Sequence, residues 1–501
     1  MMSMKITKNQ YSKNKLRRLK QIKNSENGLF KDSFYMILSN LYSKLILYIF
    51  FWLVPFIVGT EGFGTIRGLL PIADTIVIFF CSGIPPAMAK FISENKSKTQ
   101  LEKIHQEKND KNDKIDFTNL NDLNNQNTLW EFDILKYMVL FSFVGALFAI
   151  SLKYILGGDY STLPDIYYYA IALSIPLSAI ISWSRGILQG NLKIRQLSLT
   201  WVLEHTSKVI FLIPLALFFG VTGALISVSV GYLLGGLLGL YIIFKYIPRY
   251  KNKKSELNSI PDSKLNKEVS NKIVRKVMIY AVPIALTATS YRLLNDLDSI
   301  FIMSMLGSYD NGLYGYASLI SKLLFLFAAS ISTVLIPRIA KSNSEHLNEN
   351  NSKENNLNKN NSKDSKDSNI LKGSTALNYL KKSILLNFMI LLPLLAIFVI
   401  FADEILKLSF GVSNTDVSNS LIILSFSASV MSMYTLSASS LQGIGYAKIP
   451  LYIIILGIVL NSLLNLSLIP IYGIVGGAMA TLISSSIISV ITFVVAIKKL
   501  R

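Results

Sequence analysis

The stretch Tyr291–Ile300, YRLLNDLDSI, sets Arg292, Asp296 and Asp298 within ten residues between the apolar runs VMIYAVPIALTAT and FIMSML. Two chemistries suit such residues. Two carboxylates flanking one leucine could hold a divalent cation for glycosyl transfer. A guanidinium among carboxylates could instead bind and release a phosphate, because Arg offers paired N–H donors to its oxygens. Helix geometry separates the two, since positions 296 and 298 point about 200° apart and cannot share one metal without unwinding the helix. No Walker motif is present, and no outer loop exceeds about 16 residues, which leaves no room for a soluble catalytic domain. His105, His205 and His346 are scattered, and Cys81 lies alone in an apolar run, so no structural metal and no internal disulfide are expected. The reading is of a protein that is not an enzyme and carries no cofactor.

The elements that must position these charges are membrane helices. Of the 501 residues, 51% are hydrophobic and 16% charged, and the mean hydropathy is +0.43. A soluble domain carries about a quarter charged residues. The apolar residues fall in runs of the roughly 20 residues needed to cross about 30 Å of hydrocarbon. Twelve helices are expected: α1 (33–58), α2 (67–92), α3 (134–158), α4 (165–187), α5 (196–219), α6 (221–247), α7 (275–306), α8 (312–340), α9 (376–401), α10 (417–441), α11 (449–470) and α12 (472–497). With both termini cytoplasmic, 43 of the 50 Lys and Arg fall on cytoplasmic segments, the asymmetry that orients cytoplasmic-membrane proteins. The basic N-terminal segment lacks a short apolar core with a cleavage site and reads as a retained cytoplasmic tail, residues 1–32. The net charge of +20 suits an anionic inner leaflet. No aromatic-interleaved basic domain suggests nucleic acid. The stretches 93–129, 248–273 and 341–375 are rich in Asn, Lys and Ser, and the last is too polar to fold.

Seven basic residues remain. Lys153 and Lys407 lie near outer helix ends, where their stems reach water. Lys44, Lys208, Arg292 and Lys322 fall near the middle of their helices, and Arg67 begins α2. A central Lys or Arg costs about 2.5–3.5 kcal/mol on insertion scales, so it faces a partner or an aqueous cavity. Lys44, Arg67, Arg292 and Lys322 come from α1, α2, α7 and α8 and are the candidate binding set for an anionic headgroup. Glu204 and Lys208 are four residues apart and are expected to pair on one face of α5. Asp74 and Asp296 are the candidates for a coupling Na⁺ or H⁺.

The chain also repeats itself at an offset of about 250 residues: PAMAK at 86–90 against PRIAK at 337–341, LQG at 188–190 against LQG at 441–443, and IPLALFFGVTGA at 213–224 against IPIYGIVGGA at 469–478. An offset of six helices preserves orientation, so two parallel six-helix lobes, 33–247 and 275–498, are expected to flank one cleft, joined by a linker at 248–274.

The run VPFIVGTEGFGTIRGLLPIADTIVIFFCSGIPPAMAKFISE and its second-half counterpart DSIFIMSMLGSYDNGLYGYASLISKLLFLFAASISTVLIPRIAK resemble the polysaccharide-transporter branch of the multidrug/oligosaccharidyl-lipid/polysaccharide exporter superfamily. The likeness spans roughly residues 30–498. It implies a V-shaped, two-lobed transporter that flips lipid-linked oligosaccharide, as O-antigen flippases, the stage V sporulation protein B group and lipid II flippases do. Membrane lipid, and glycosyltransferases or polymerases of the same pathway, would be its partners. The first, second, seventh and eighth helices line the cleft and its lateral opening in that family. The chain ends after α12, without the extra helix pair of the sporulation and lipid II members. The alternative within the superfamily is a cation-coupled multidrug antiporter, whose cavity needs acidic residues and aromatic walls.

Overall fold

In a computed structural model of the chain, residues 2–93, 129–247, 250, 264–325, 331–332, 335, 339 and 365–500 are described. The described residues contain helices, turns and bends and no strand. Eight of the helices are long and apolar enough to cross a membrane. Three of them, Leu38–Ser93, Ile194–Tyr246 and Lys448–Leu500, are 56, 53 and 53 residues long. At 1.5 Å per residue each runs to roughly 80 Å, more than twice the hydrocarbon thickness. Each therefore crosses twice.

The folding points are glycines. Gly220 has φ 56° and ψ −134°, and Gly473 has φ 59° and ψ −138°. A side chain is strained in that region, so glycine is the residue that reverses the chain without a loop. Gly59 (φ 75°) separates α1 from α2 in the same way. With the helix that starts at Ser308, the architecture is the expected all-α membrane bundle of about twelve crossings.

The repeat is visible element by element. In the first half a long helix, Leu129–Ile155 (α3), leads to a short one, Asp159–Thr162, then to Asp165–Gly190 (α4) and the bent pair Ile194–Tyr246 (α5 and α6). In the second half Ser365–Ile400 (α9) leads to Ala402–Phe410, Thr415–Gly443 (α10) and the bent pair Lys448–Leu500 (α11 and α12). Three helices start well before the expected residue, the first of them α1, which begins at Met2 and takes in most of the expected tail. α7 begins at Lys264 and α9 at Ser365, so the tails of the polar linker and loop continue as helix. The added stretch of α7, 264–274, carries no proline or glycine to break it, and that of α9, 365–375, carries one glycine, Gly373, and no proline. Residues 94–128, 251–263 and 341–364 lie outside the described residues.

The lobes meet most tightly at the end where these turns cluster. The close approach of backbones there depends on Gly64 and Gly312. A Cβ on Gly64 would overlap Ser308 O, and one on Gly312 would overlap Thr60 O. Polar groups stitch the same surface: Asn311 Nδ2 donates to Gly64 O at 2.7 Å, Ser308 N to Asp159 Oδ2 at 2.6 Å, and Ser304 Oγ to Leu156 O at 3.0 Å. Phe63 stacks on Tyr316 at 5.3 Å between centroids. One buried hydrophobic cluster, containing Phe50, Phe63, Tyr160, Met303, Tyr314 and Leu421, runs through both lobes beneath this seam. At the other end α7 leans on the first lobe, with Val274, Val277 and Ala281 packed beside Met88 and Trp130.

Candidate functional site

Asp296 is 1% exposed, with three cations around it. Arg292, one turn earlier on α7, brings Nη1 to 2.8 Å from Oδ2. Lys322 on α8 donates from Nζ to Oδ1 at 2.7 Å. Arg67 on α2 places Nη2 3.6 Å from Oδ1 and donates to Ser318 Oγ at 2.9 Å. Arg67 is not at the start of its helix but one to two turns inside it, since helix resumes directly after Gly59. Arg292 also donates from Nη2 to Asp74 Oδ2 at 2.8 Å. That contact ties α2 of one lobe to α7 of the other. Three helices from two lobes thus share one buried carboxylate. A single unpaired charge at this depth would be costly, and the shared pairing offsets it.

The cluster forms part of the wall of a cavity of about 650 Å³, which Lys44, Tyr48, Arg292, Asp296, Asp298 and Lys322 help to line. Arg67 lies behind Ser318, outside the lining. Lys44 is exposed to the cavity and makes no ion pair among the described residues. Arg67, Arg292 and Lys322 are therefore partly neutralised by Asp296 and Asp74, whereas Lys44 is not.

Two smaller cavities adjoin the first. One of about 220 Å³ lies between α1 and α8, walled by Tyr48, Ile49, Trp52, Leu319, Leu323 and Phe410. It shares Tyr48 with the main cavity, and Tyr48 donates to Leu319 O at 2.7 Å where the two helices touch. The other, of about 500 Å³, lies among α7, α10 and α11 and shares Ala288, Tyr291 and Thr435 with the main cavity.

Asp298 has different surroundings. It is 4% exposed, accepts a hydrogen bond from Tyr314 and one from Thr481 Oγ1 at 3.3 Å. Behind Thr481, Asn461 Nδ2 donates to Ser484 Oγ at 3.1 Å and Asn465 Nδ2 to Asn461 Oδ1 at 2.8 Å. The buried Asn465 Oδ1 has no hydrogen-bond partner among the described residues. Sequence reasoning set Asp298 aside because it points about 200° away from Asp296 and cannot share a metal with it. The signal that could have found it is the Asn461/Asn465 pair, one turn apart on the largely apolar α11.

Glu204 and Lys208 lie elsewhere. Lys208 Nζ donates to Glu204 Oε1 at 2.6 Å, and Arg185 Nη2 to Glu204 Oε2 at 2.6 Å. Arg185 counts among the cytoplasmic basic residues in the sequence, yet it lies over the Trp201 ring at 4.6 Å, while Lys208 lies over Tyr232 at 4.0 Å. This trio is enclosed within the first lobe. His205 bonds Trp201 O at 2.9 Å and belongs to the same packing. Among the described residues no group of three or more His, Cys, Asp and Glu side chains could hold a metal ion.

The sequence profile described as "Polysaccharide biosynthesis protein" matches residues 29–343, and the MatE profile matches residues 373–467. The membrane protein MJ1375 of Methanocaldococcus jannaschii is 41% identical over 465 residues, covering 91% of this chain and 95% of its own length. The "probable low-salt glycan biosynthesis flippase Agl15" of Haloferax volcanii is 31% identical over 112 residues, covering 22% of this chain and 24% of its own. Among solved structures, an inward-facing multidrug resistance MATE family transporter of the MOP superfamily aligns with TM-score 0.63 at 15% identity, covering 93% of this chain and 94% of that one. The lipid II flippase MurJ, in an inward closed conformation, aligns with TM-score 0.62 at 16% identity, covering 92% and 87%. These structural likenesses establish the two-lobed transporter fold.

Proposed function

The chain belongs to the polysaccharide biosynthesis protein family of the MOP superfamily, and from that premise we propose that it flips a saccharide linked to a polyprenyl diphosphate across the membrane. The observation that carries this reading is the junction of two unlike cavities at Tyr48. One is apolar and lies between α1 and α8; the other carries Lys44, Arg292 and Lys322. A lipid-linked diphosphate has the same division, an apolar tail joined to a dense negative charge. Lys44 supplies an uncommitted cation, and Arg292 and Lys322 can exchange carboxylate for phosphate oxygens with little change in geometry. The names of the glycan flippase Agl15 and the lipid II flippase MurJ agree with this substrate class.

In this reading the headgroup enters from the cytoplasmic side with its tail trailing between α1 and α8. The Asp74–Arg292 contact yields to phosphate, and rocking of the lobes opens the cavity to the other side. The placement of Lys and Arg supports cytoplasmic termini and a cytoplasmic-membrane location. A coupling Na⁺ or H⁺ is better accommodated at Asp298 than at Asp296 or Asp74. Asp296 has three cations within 3.6 Å and Asp74 holds Arg292, whereas Asp298 accepts from the hydroxyls of Tyr314 and Thr481 and makes no ion pair within 4 Å among the described residues.

The test is reconstitution in liposomes with a fluorescent polyprenyl-diphosphate oligosaccharide, following the fraction accessible to an external quencher. Flipping no faster than in protein-free vesicles would sink the proposal, as would unchanged flipping by both Arg292→Ala and Lys322→Ala.

The MatE match favours a second reading, a cation-coupled multidrug antiporter. Against it, a lipophilic cation would meet Lys44, Arg292 and Lys322 on the cavity wall. Ethidium efflux by the same liposomes, with no movement of the glycolipid, would establish it.

A further inference from the structure

We infer that the cavity of about 500 Å³ among α7, α10 and α11 seats the sugar attached to the diphosphate, and that this sugar carries no charge. The inference rests on the reading of the main cavity as a diphosphate site. Its volume falls within the range of small-molecule sites, about 300–1,000 Å³. Its polar lining is Thr287, Tyr291, Tyr434, Thr435, Ser439 and Gln442, with no Asp, Glu, Lys or Arg among the described lining residues. Because Ala288, Tyr291 and Thr435 also border the main cavity, a group held here can stay bonded to a phosphate held at Arg292 and Lys322.

The side chains suit a pyranose. Thr435 donates to Met431 O at 3.1 Å, Ser439 to Thr435 O at 2.7 Å and Tyr434 to Pro450 O at 3.2 Å. With their protons spent on backbone, all three hydroxyls present acceptor lone pairs, one of those on Ser439 being taken by Ser332 Oγ at 2.5 Å. Sugar hydroxyls would supply the donors. The Gln442 side chain makes no hydrogen bond among the described residues and adds both a donor and an acceptor. The Tyr291 and Tyr434 rings offer flat apolar surfaces for the C–H face of a sugar. A uronic acid would place its carboxylate where no cation meets it among the described lining residues, and an unpaired anion taken out of water is strongly disfavoured.

The experiment uses the full chain in nanodiscs and measures binding of three probes by thermophoresis: polyprenyl diphosphate, the same lipid bearing N-acetylglucosamine, and the same lipid bearing glucuronic acid. The N-acetylglucosamine probe is expected to bind more tightly than the bare diphosphate, and the glucuronic acid probe less tightly than the N-acetylglucosamine probe. Gln442→Leu, and separately Ser439→Val with Gln442→Leu, should weaken the N-acetylglucosamine probe by up to about tenfold and leave the bare diphosphate unchanged. Bare diphosphate binding also reports that the variants are folded. If no probe binds the wild-type chain, the diphosphate reading fails and this seat with it. If bare diphosphate binds and the sugar adds nothing, or if the variants weaken both probes alike, the seat alone is wrong. Equal binding of the glucuronic acid and N-acetylglucosamine probes would overturn the claim of neutrality.

Discussion

Two buried carboxylates in this protein are each held by cations, and they differ in who supplies the cations. Glu204 is gripped by Arg185 and Lys208 from adjacent helices of one lobe, with side chains 13% and 9% exposed. Trp201 and Tyr232 cover the pair with their rings. Asp296 is gripped from both lobes, and its partners Arg292 and Lys322 are 28% and 34% exposed along a cavity wall. The chemistry is the same, but only at Asp296 can a partner leave. A closed trio stabilises one lobe, whereas an open one can trade partners and so respond to a ligand. Four-residue spacing is present at both sites and does not tell them apart.

Breaking each cluster should give opposite phenotypes. Glu204→Ala strands two buried cations and is expected to cost about 3–5 kcal/mol of stability, read as a large fall in melting temperature of the detergent-solubilised protein. A melting temperature within error of wild type would mean that the trio is hydrated and the contrast wrong. Arg292→Ala should lower flipping at least about tenfold, the equivalent of one strong phosphate contact. Its thermal stability should fall far less than that of Glu204→Ala, because Lys322 and Arg67 still face Asp296. Asp298→Asn should weaken the response of transport to an imposed Na⁺ or H⁺ gradient while leaving binding of bare polyprenyl diphosphate intact. An unaltered gradient response would remove Asp298 from the coupling role. Asp74→Asn frees Arg292 from a half-exposed pair worth about 0.2–1 kcal/mol. A severalfold tighter diphosphate affinity should follow, measured by the same binding assay; weaker affinity would show that Asp74 positions Arg292 rather than restrains it. The smallest effect is expected from Lys153→Ala, whose pairing with Asp165 lies at an exposed helix end. It should change stability by less than about 0.5 kcal/mol.

Much of the architecture was legible because the bilayer imposes a strict rule. Long apolar runs, the Lys and Arg asymmetry and the duplicated turns each leave a mark in one dimension. Gly220 and Gly473 could be placed as turns from GVTG and the matching IYGIVGG. Their near-identical dihedrals then show the repeat at backbone level. Lys44, Arg67, Arg292 and Lys322 stood out because charge is rare in such helices. Harder to read were the polar residues whose neighbours are distant in sequence. Arg185 counted among the cytoplasmic basic residues because it lies near the end of α4, yet it points back at Glu204, 19 positions later. Asp298 looked like a bystander until α12 brought Thr481 against it, 183 residues away.

The sequence alone determined which residues enter the membrane, where the chain reverses, and which charges need a partner, since hydropathy, glycine conformation and desolvation act locally. Tertiary structure decided who the partners are. Ion pairing falls off over a few ångströms, so whether Asp74 reaches Arg292 or Arg67 reaches Asp296 depends on how two lobes dock, and no spacing along one helix encodes that.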